Sequence, residues 1–176
     1  LADVKFSAGL INIGSSAFYK CVSLANIKLP NTLTSIGSSA FSNCTSFTNV
    51  VLPDSISTIR EYAFSCDDWG DFESNLTSIN FPMAWTTAGW DIFQGCTKLK
   101  KINGAKNVTY VGELAFNNTA WYKAQKKGVV YFGKVALGYK GNVPKNTKLS
   151  IKKGTVTIAP QAFFKQSRII SVSFPN

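Results

Sequence analysis

Residues 24–44 read LANIKLPNTLTSIGSSAFSNC and hold every element of a unit that recurs along this 176-residue chain. Its landmark is the dipeptide Ala40-Phe41, and the same pair, or one like it, returns at regular steps. The pairs are Ala17-Phe18, Ala40-Phe41, Ala63-Phe64, Ile92-Phe93, Ala115-Phe116 and Ala162-Phe163. Successive phenylalanines lie 23, 23, 29, 23 and 47 residues apart, and the last interval is twice 23 plus one. A fixed period in this range predicts a repeat protein.

The spacing of apolar residues within the unit predicts one short strand per coil. Ile27 and Leu29 are two residues apart and face one side of a strand, while Asn26 and Lys28 face the other side. Pro30 then removes a backbone donor and ends the strand. The Ala-Phe segment is expected to be a helical turn or an irregular arc. One coil cannot bury its own apolar side, so coils must stack with each phenylalanine against the next.

The unit L-x-x-I-x-L-P-x-x-L-x-x-I-G-x-x-A-F-x-x-C resembles the treponemal-type leucine-rich repeat of BspA-like surface proteins. The resemblance covers about five units and two half units. It implies an α/β repeat, a leucine-rich-repeat solenoid with coils of about 23 residues and one short parallel strand per coil. It also implies an extracellular or cell-surface location in bacteria and some protists, and adhesion to host matrix proteins, mucosal surfaces or other cells. The family supplies no catalytic motif.

Two segments depart from the repeat. Residues 67–74 form an acidic insert that lengthens one loop without changing the register on either side. Residues 120–146 lack the A-F-x-x-C landmarks, and the stretch from Val129 to Leu137 predicts two strands around a Gly133-Lys134 turn. We therefore expect a β-hairpin near residues 129–140 that replaces or decorates one coil.

The chain lacks any linker rich in proline, glycine or serine, so residues 1–176 are expected to form a single solenoid domain. Half units stand at both ends, which predicts a fragment of a longer array.

Charge is divided unevenly along the chain. Residues 1–88 contain 4 Lys/Arg and 7 Asp/Glu, whereas residues 89–176 contain 15 and 2. A basic surface in the second half attracts polyanions, although a solvated lysine face that keeps the protein soluble is an alternative interpretation. We predict that the basic patch consists of Lys98, Lys100, Lys101, Lys152 and Lys153. No DNA- or RNA-binding motif is recognisable, so sulfated or sialylated glycans or an acidic protein surface are the expected polyanions rather than nucleic acid.

The outward positions of the predicted strands form a second candidate site, the strand face. Its residues are small and polar, without the Trp, Tyr and Arg anchors of strong interfaces, so broad and weak contacts are expected. The strand face consists of Lys5, Asn26, Lys28, Asn49, Val51, Ser78, Asn80, Lys101, Asn103, Lys148 and Ser150.

Cysteine and histidine content argues against catalysis and metal binding. Cys21, Cys44, Cys66 and Cys96 share one slot of the repeat, which favours a ladder of buried thiols over disulfides between coils or a zinc site. Histidine is absent, which excludes Ser-His and Cys-His mechanisms. We predict no catalytic residues, no metal and no cofactor.

The insert carries the remaining candidates. Its carboxylates could bind calcium, although the spacing of an EF-hand loop is missing and a plain polar loop is the simpler interpretation. Trp69 and Phe72 lie outside the repeat pattern, so they either pin the loop to the solenoid or present an aromatic contact to a partner.

Two functions follow. The first is a non-catalytic recognition or adhesion module that binds a host or neighbouring-cell surface glycoprotein, a matrix protein or an anionic glycan. The alternative is a structural spacer with no ligand of its own. No apolar run is long enough to cross a membrane and no signal peptide is recognisable, so an extracellular or cell-surface location rests on the resemblance. The protein is expected to be monomeric and not to insert into membranes.

Overall fold

The computed structural model describes residues 1–66 and 72–175, which wind into a solenoid of stacked coils. Its elements are short. The strands are β1 (Asn12–Ile13), β2 (Ser35–Ile36), β3 (Asn49–Val51), β4 (Thr58–Ile59), β5 (Ser78–Asn80), β6 (Thr87–Ala88), β7 (Lys101–Asn103), β8 (Tyr110–Val111), β9 (Gly128–Phe132), β10 (Val135–Lys140), β11 (Thr147–Ser150), β12 (Thr157–Ile158) and β13 (Ile169–Ser173). One α-helix, α1 (Ala120–Lys123), and one 3-10 turn (Ala105–Asn107) complete the described elements.

The predicted strand of each coil forms a first column of parallel strands. β3, β5 and β7 pair in register, with Val50 opposite Ile79 and Ile79 opposite Ile102. Before them, Lys5 and Lys28 form a parallel bridge, and after them β11 pairs with β13 in a separate sheet. The central residue of β3 is buried and its two neighbours are exposed, as the alternation predicts. The solenoid of coils about 23 residues long with parallel strands is therefore confirmed.

A second column, which the sequence analysis did not include, runs along another side of the stack. β1, β2, β4, β6 and β8 pair in parallel, one from each of five coils. Ile36 points into the core and Ser35 points out, so two residues suffice for an alternation. Gly37 follows directly, and a Cβ there would lie 2.6 Å from the backbone nitrogen of Ser15 in the preceding coil. This close approach favours the glycine of the repeat, which Arg60 replaces in the coil of β4.

Each Ala-Phe pair lies in a segment of turns, which we call the corner. The residue before the alanine is left-handed at Ser39 (φ 55°), Tyr62 (φ 58°) and Leu114 (φ 56°), although none of them is glycine. A left-handed residue breaks any helix, so the corner is an irregular arc. The stack compensates through backbone hydrogen bonds between neighbouring coils, such as Phe41 N–H to the Ala63 carbonyl at 2.9 Å. Each such bond is worth about 1 kcal/mol.

The corner phenylalanines form a stacked ladder inside the solenoid. Ring centroids lie 5.2 Å apart from Phe18 to Phe41, 5.5 Å to Phe64, 6.0 Å to Phe93 and 5.8 Å to Phe116. Burial of each ring contributes about 1.5–3 kcal/mol. Around the ladder, one contiguous apolar cluster runs from Ile13 to Ala159. Trp85 belongs to it, stacked on Phe81 at 3.7 Å.

The sixth corner phenylalanine, Phe163, differs from this expectation. It is half-buried and forms no aromatic pair with any described residue. The coil before it has no Ala-Phe corner, and Phe132 from the hairpin takes the place beside Phe116, with centroids 4.3 Å apart. The ladder of corner phenylalanines therefore ends at Phe116 and does not reach Phe163.

The predicted hairpin is confirmed and replaces a coil. β9 and β10 pair antiparallel around Gly133-Lys134, with Phe132 opposite Val135. β10 also pairs in parallel with β12, so the second column of strands continues beyond the hairpin. A bulge at Ala136 to Gly138 then turns β10 away from the corner path.

Candidate functional site

The strand face divides into groups. Six of its residues lie together on the sheet of β3, β5 and β7, namely Asn49, Val51, Ser78, Asn80, Lys101 and Asn103. Ser78 Oγ donates to Asn49 Oδ1 at 2.7 Å, and Asn103 Nδ2 donates to Asn80 Oδ1 at 2.9 Å. These ladders hold the polar side chains in fixed positions across three coils.

Other predicted members of the strand face lie outside this sheet. Lys5 and Lys28 form the isolated bridge, and exposed Asn26 precedes it. Lys148 and Ser150 lie on β11, whose partner is β13. All eleven residues are exposed or half-exposed.

The basic patch divides between two separate sheets, one that ends with β7 and one that contains β11. Lys100 and Lys101 stand at the start of β7, whereas Lys152 and Lys153 follow the end of β11, and all four are exposed. Lys98 is half-buried, forms an ion pair with Glu73 at 3.3 Å and donates to Asn75 Oδ1 at 3.0 Å. Within the described parts of the chain, this is the one ion pair. Most cations of the second half are therefore not neutralised by a carboxylate contact.

The end of the insert is attached to the solenoid. Phe72 is half-buried, and its ring centroid lies 5.5 Å from Lys20 Nζ in the first coil. Together with the Glu73–Lys98 ion pair, this contact favours the pinning interpretation for Phe72. Trp69 and the three aspartates of the insert lie outside the described residues.

The four cysteines lie in adjacent coils, and none of them forms a disulfide in the described parts of the chain. Cys44 Sγ donates to the Phe18 carbonyl and Cys96 Sγ donates to the Phe64 carbonyl, each at 3.1 Å and each one coil back. Burial raises the pKa of Cys44 to about 12. Hydrogen bonding to Cys66, followed by burial, raises the pKa of Cys96 well above its ordinary value. Such thiols are protonated and unreactive at neutral pH.

Residues 1–66 and 72–175 contain no group of three or more histidine, cysteine, aspartate or glutamate side chains arranged to hold a metal ion. No helix in these ranges is long and apolar enough to cross a bilayer.

Sequence reasoning missed one feature, a cavity between two corners that we call the corner notch. It encloses about 300 Å³ between residues 111–117 and residues 159–166, with Leu137 to Tyr139 as its floor. Gln161 Nε2 donates to Glu113 Oε1 across it at 2.7 Å. Tyr122 also lines it, and burial raises the pKa of this tyrosine. The signal that could have revealed it is the 47-residue interval between Phe116 and Phe163, which marks an absent corner.

Comparison with known proteins agrees with this architecture. The BspA type leucine rich repeat signature matches residues 1–122 in six copies. The chain therefore belongs to the BspA-type leucine-rich repeat family. Proteins of this family and its structural neighbours are non-enzymatic repeat proteins, typically protein-interaction modules.

Among solved structures, the Treponema pallidum leucine rich repeat protein is 33% identical, with a TM-score of 0.53 over 59% of this chain and 46% of its own. A leucine-rich repeat protein from Bacteroides ovatus is 19% identical, with a TM-score of 0.49 over 97% of this chain and 54% of its own. A leucine rich cell surface protein from Faecalibacterium prausnitzii is 22% identical, with a TM-score of 0.47 over 99% and 46%. The chain thus spans about half the length of these proteins. No curated protein matches it.

Proposed function

We propose that this protein is a non-catalytic recognition module, placed outside the cell, that adheres to a surface glycoprotein, a matrix protein or an anionic glycan of a host or neighbouring cell. Family membership supports the general class of interaction module. The extracellular location and the adhesive role are our extension of the family resemblance to this chain.

The observation that carries the proposal is the unneutralised charge of the second half. Residues 89–176 contain 15 Lys/Arg against 2 Asp/Glu, and the one ion pair among the described residues engages only Lys98. A field of this sign raises the local concentration of anionic partners and speeds their association. Sulfated or sialylated glycans and acidic protein surfaces carry the matching charge, and nucleic acid is not proposed as a partner.

The strand face provides the second contact area. Its polar ladders are small, and it contains none of the aromatic or arginine side chains that usually dominate binding energy. We therefore expect micromolar or weaker affinity for a monomeric chain, strengthened when several copies engage one surface.

The experiment compares two sets of charge changes in binding to immobilised heparin. The first set changes Lys100, Lys101, Lys152 and Lys153 to glutamine. The control set changes four exposed cations that lie outside both the basic patch and the strand face, and so removes the same charge: Lys20, Arg60, Lys106 and Lys165. We expect the first set to weaken binding at least about tenfold and the control set to have a small effect, with binding by the wild type falling as salt rises.

Equal weakening by both sets would show that total charge, rather than the basic patch, governs attachment. Absence of binding to heparin, to sialylated glycoprotein and to cells at low salt would support the structural spacer instead.

A further inference from the structure

The corners of the regular coils are joined by a repeating set of backbone hydrogen bonds. In each corner, the N–H groups of alternate residues point toward the next coil. Phe18 N–H donates to the Ala40 carbonyl at 2.8 Å, and Phe93 N–H donates to the Ala115 carbonyl at 3.2 Å. In the first three corners the residues two before and two after the phenylalanine behave alike, as Ser16 and Lys20 show by donating to Ser38 and Ser42. In the fourth corner Asp91 N–H donates to the Glu113 carbonyl, and Gly95 forms no such bond among the described residues. Each corner thus donates hydrogen bonds to the next corner and accepts them from the one before, so the bonds between corners all run in one direction.

This series stops at the corner of residues 113–118. By repeat position, the N–H groups of Leu114, Phe116 and Asn118 face the next coil, but within the described residues none of the three donates a hydrogen bond. The reason is that β10 turns away after Gly138 and its coil supplies no corner. Two of these donors, Leu114 and Phe116, therefore line the corner notch two residues apart, and Asn118 directly follows the last lining residue of that wall.

The opposite wall belongs to the last coil. By repeat position, the carbonyls of Pro160, Ala162 and Phe164 face back toward the notch, and in the part of the chain that is described none of them accepts a hydrogen bond. The Ala162 carbonyl is shielded by Gly138, since a Cβ on Gly138 would lie 2.7 Å from its oxygen. The wall formed by the N–H donors is therefore the one that a ligand can reach.

The chemistry of the notch matches a polypeptide rather than an anion. Its volume of about 300 Å³ lies at the lower end of the range for ligand pockets. No lysine or arginine lines it, and its one carboxylate, Glu113, is engaged by Gln161. Two apolar side chains stand exposed at its rim, Leu114 at 51% and Phe164 at 60%. Donors on alternate residues beside an apolar rim match a peptide whose carbonyls on alternate residues all point to one side, as they do in a corner of this chain.

We propose that the corner notch binds a peptide segment of a partner protein, held in the conformation of a corner, by backbone addition. The carbonyls of the segment accept hydrogen bonds from Leu114, Phe116 and Asn118, and one apolar side chain of the segment packs against Leu114 and Phe164. The segment thereby occupies the place of the absent corner. This site is separate from the basic patch and the strand face, and it does not rest on the proposed function.

The probe is the acetylated and amidated peptide Gly-Ser-Ser-Ala-Phe-Ser-Asn, the sequence of residues 37–43 and so the chain's own corner. It is titrated into the ¹⁵N-labelled protein, and the backbone amide resonances are followed. We expect shifts centred on Leu114, Phe116 and Asn118, with an affinity that salt does not weaken. N-acetyl-phenylalaninamide, which has the ring but almost no backbone, should bind at least about tenfold more weakly.

A matched pair of variants tests the rim. Phe164→Ala should weaken peptide binding about fivefold or more. Tyr19→Ala changes the residue at the same repeat position in the first coil, which is similarly exposed, and should leave binding unchanged. Both residues are exposed, so both variants should retain the fold, which their amide spectra verify directly.

Three results would overturn the proposal: no shift at the three amides with millimolar peptide, equal weakening by the two variants, or equal affinity for N-acetyl-phenylalaninamide. Binding at the basic patch fails in high salt and binding at the notch does not. A negative result for one site is therefore distinct from a negative result for the other.

Discussion

The five regular coils and the hairpin coil achieve the same burial by different means. In a regular coil, the second strand column, the corner and the phenylalanine ladder all belong to one unit. The hairpin coil keeps the strand column through β10 and supplies a core ring through Phe132, but it has no corner. Core continuity is therefore separable from the hydrogen-bonded surface of the corners. A solenoid can lose part of its outer wall while its interior remains filled.

The largest expected effect comes from removing one phenylalanine ring from each region and comparing the losses of stability. Phe93 is fully buried between Phe64 and Phe116, whereas Phe163 is half-buried beyond the end of the ladder. Phe93→Ala should lower the free energy of unfolding by about 3–5 kcal/mol, because it leaves a cavity in contact with two stacked rings. Phe163→Ala should cause less than half of that loss. Urea unfolding of both variants measures the difference, and equal losses would mean that the ladder extends to the last coil.

A second test concerns the hairpin turn. Gly133 (φ 58°) lies against the preceding coil, and a Cβ there would be 2.4 Å from the Ala105 carbonyl oxygen. Gly154 (φ 83°) is also left-handed but has nothing within 4 Å of such a Cβ. Gly154→Ala should lower stability by about 1 kcal/mol through backbone strain alone. Gly133→Ala should lose roughly 1–3 kcal/mol more, because the hairpin must shift away from the stack.

Thermal or urea unfolding compares the two glycine variants. Similar losses would indicate that the hairpin decorates the solenoid without being packed into it.

The smallest expected effect is on the pH dependence of stability and concerns the regular coils. Burial raises the pKa of the Cys44 thiol from 9.0 to about 12 in the folded protein. As pH rises above about 9, the thiol ionises in the unfolded chain before it does so in the fold. The contribution of this thiol to the free energy of unfolding is therefore complete below about pH 9 and is lost by about pH 12. Cys44→Ala should reduce the fall in stability between about pH 8 and about pH 10.5.

Cys21→Ala is the control, because Cys21 occupies the same slot but is half-buried at the first coil. The two variants contain the same lysines and tyrosines, so the comparison isolates the thiol. An identical alkaline slope in the two would show that the thiol ladder is open to water.

Sequence patterns predicted the solenoid because its determinants are local. Ile27 and Leu29 specify the first strand, and Val129 to Leu137 specify the hairpin, through alternation within a few residues. The second strand column escaped notice because Ser35-Ile36 is too short for alternation to be recognised, and its strands form through pairing between coils. The left-handed corners escaped for a similar reason, since Ser39, Tyr62 and Leu114 share no residue type.

The surfaces were harder to predict than the core. The alternation of β3, β5 and β7 correctly placed Asn49, Asn80 and Lys101 outside. Lys98 pairs with Glu73, which belongs to a different coil. The sequence alone therefore did not show that the charge of Lys98 is neutralised. The corner notch joins residues that are 48 positions apart, as the Glu113–Gln161 hydrogen bond shows, and depends on where β10 leaves the stack. The interactions of the basic patch and of the strand face with a partner remain predictions.

The left-handed residues of the corners bear on how such arrays diversify. Ser39, Tyr62, Asp91 and Leu114 hold the same strained backbone position with four chemically different side chains. The backbone bonds between coils enforce the conformation, so the side chain at this site is released from any requirement to specify it. Substitutions at this row of surface positions can therefore accumulate one at a time during evolution, with little risk to folding.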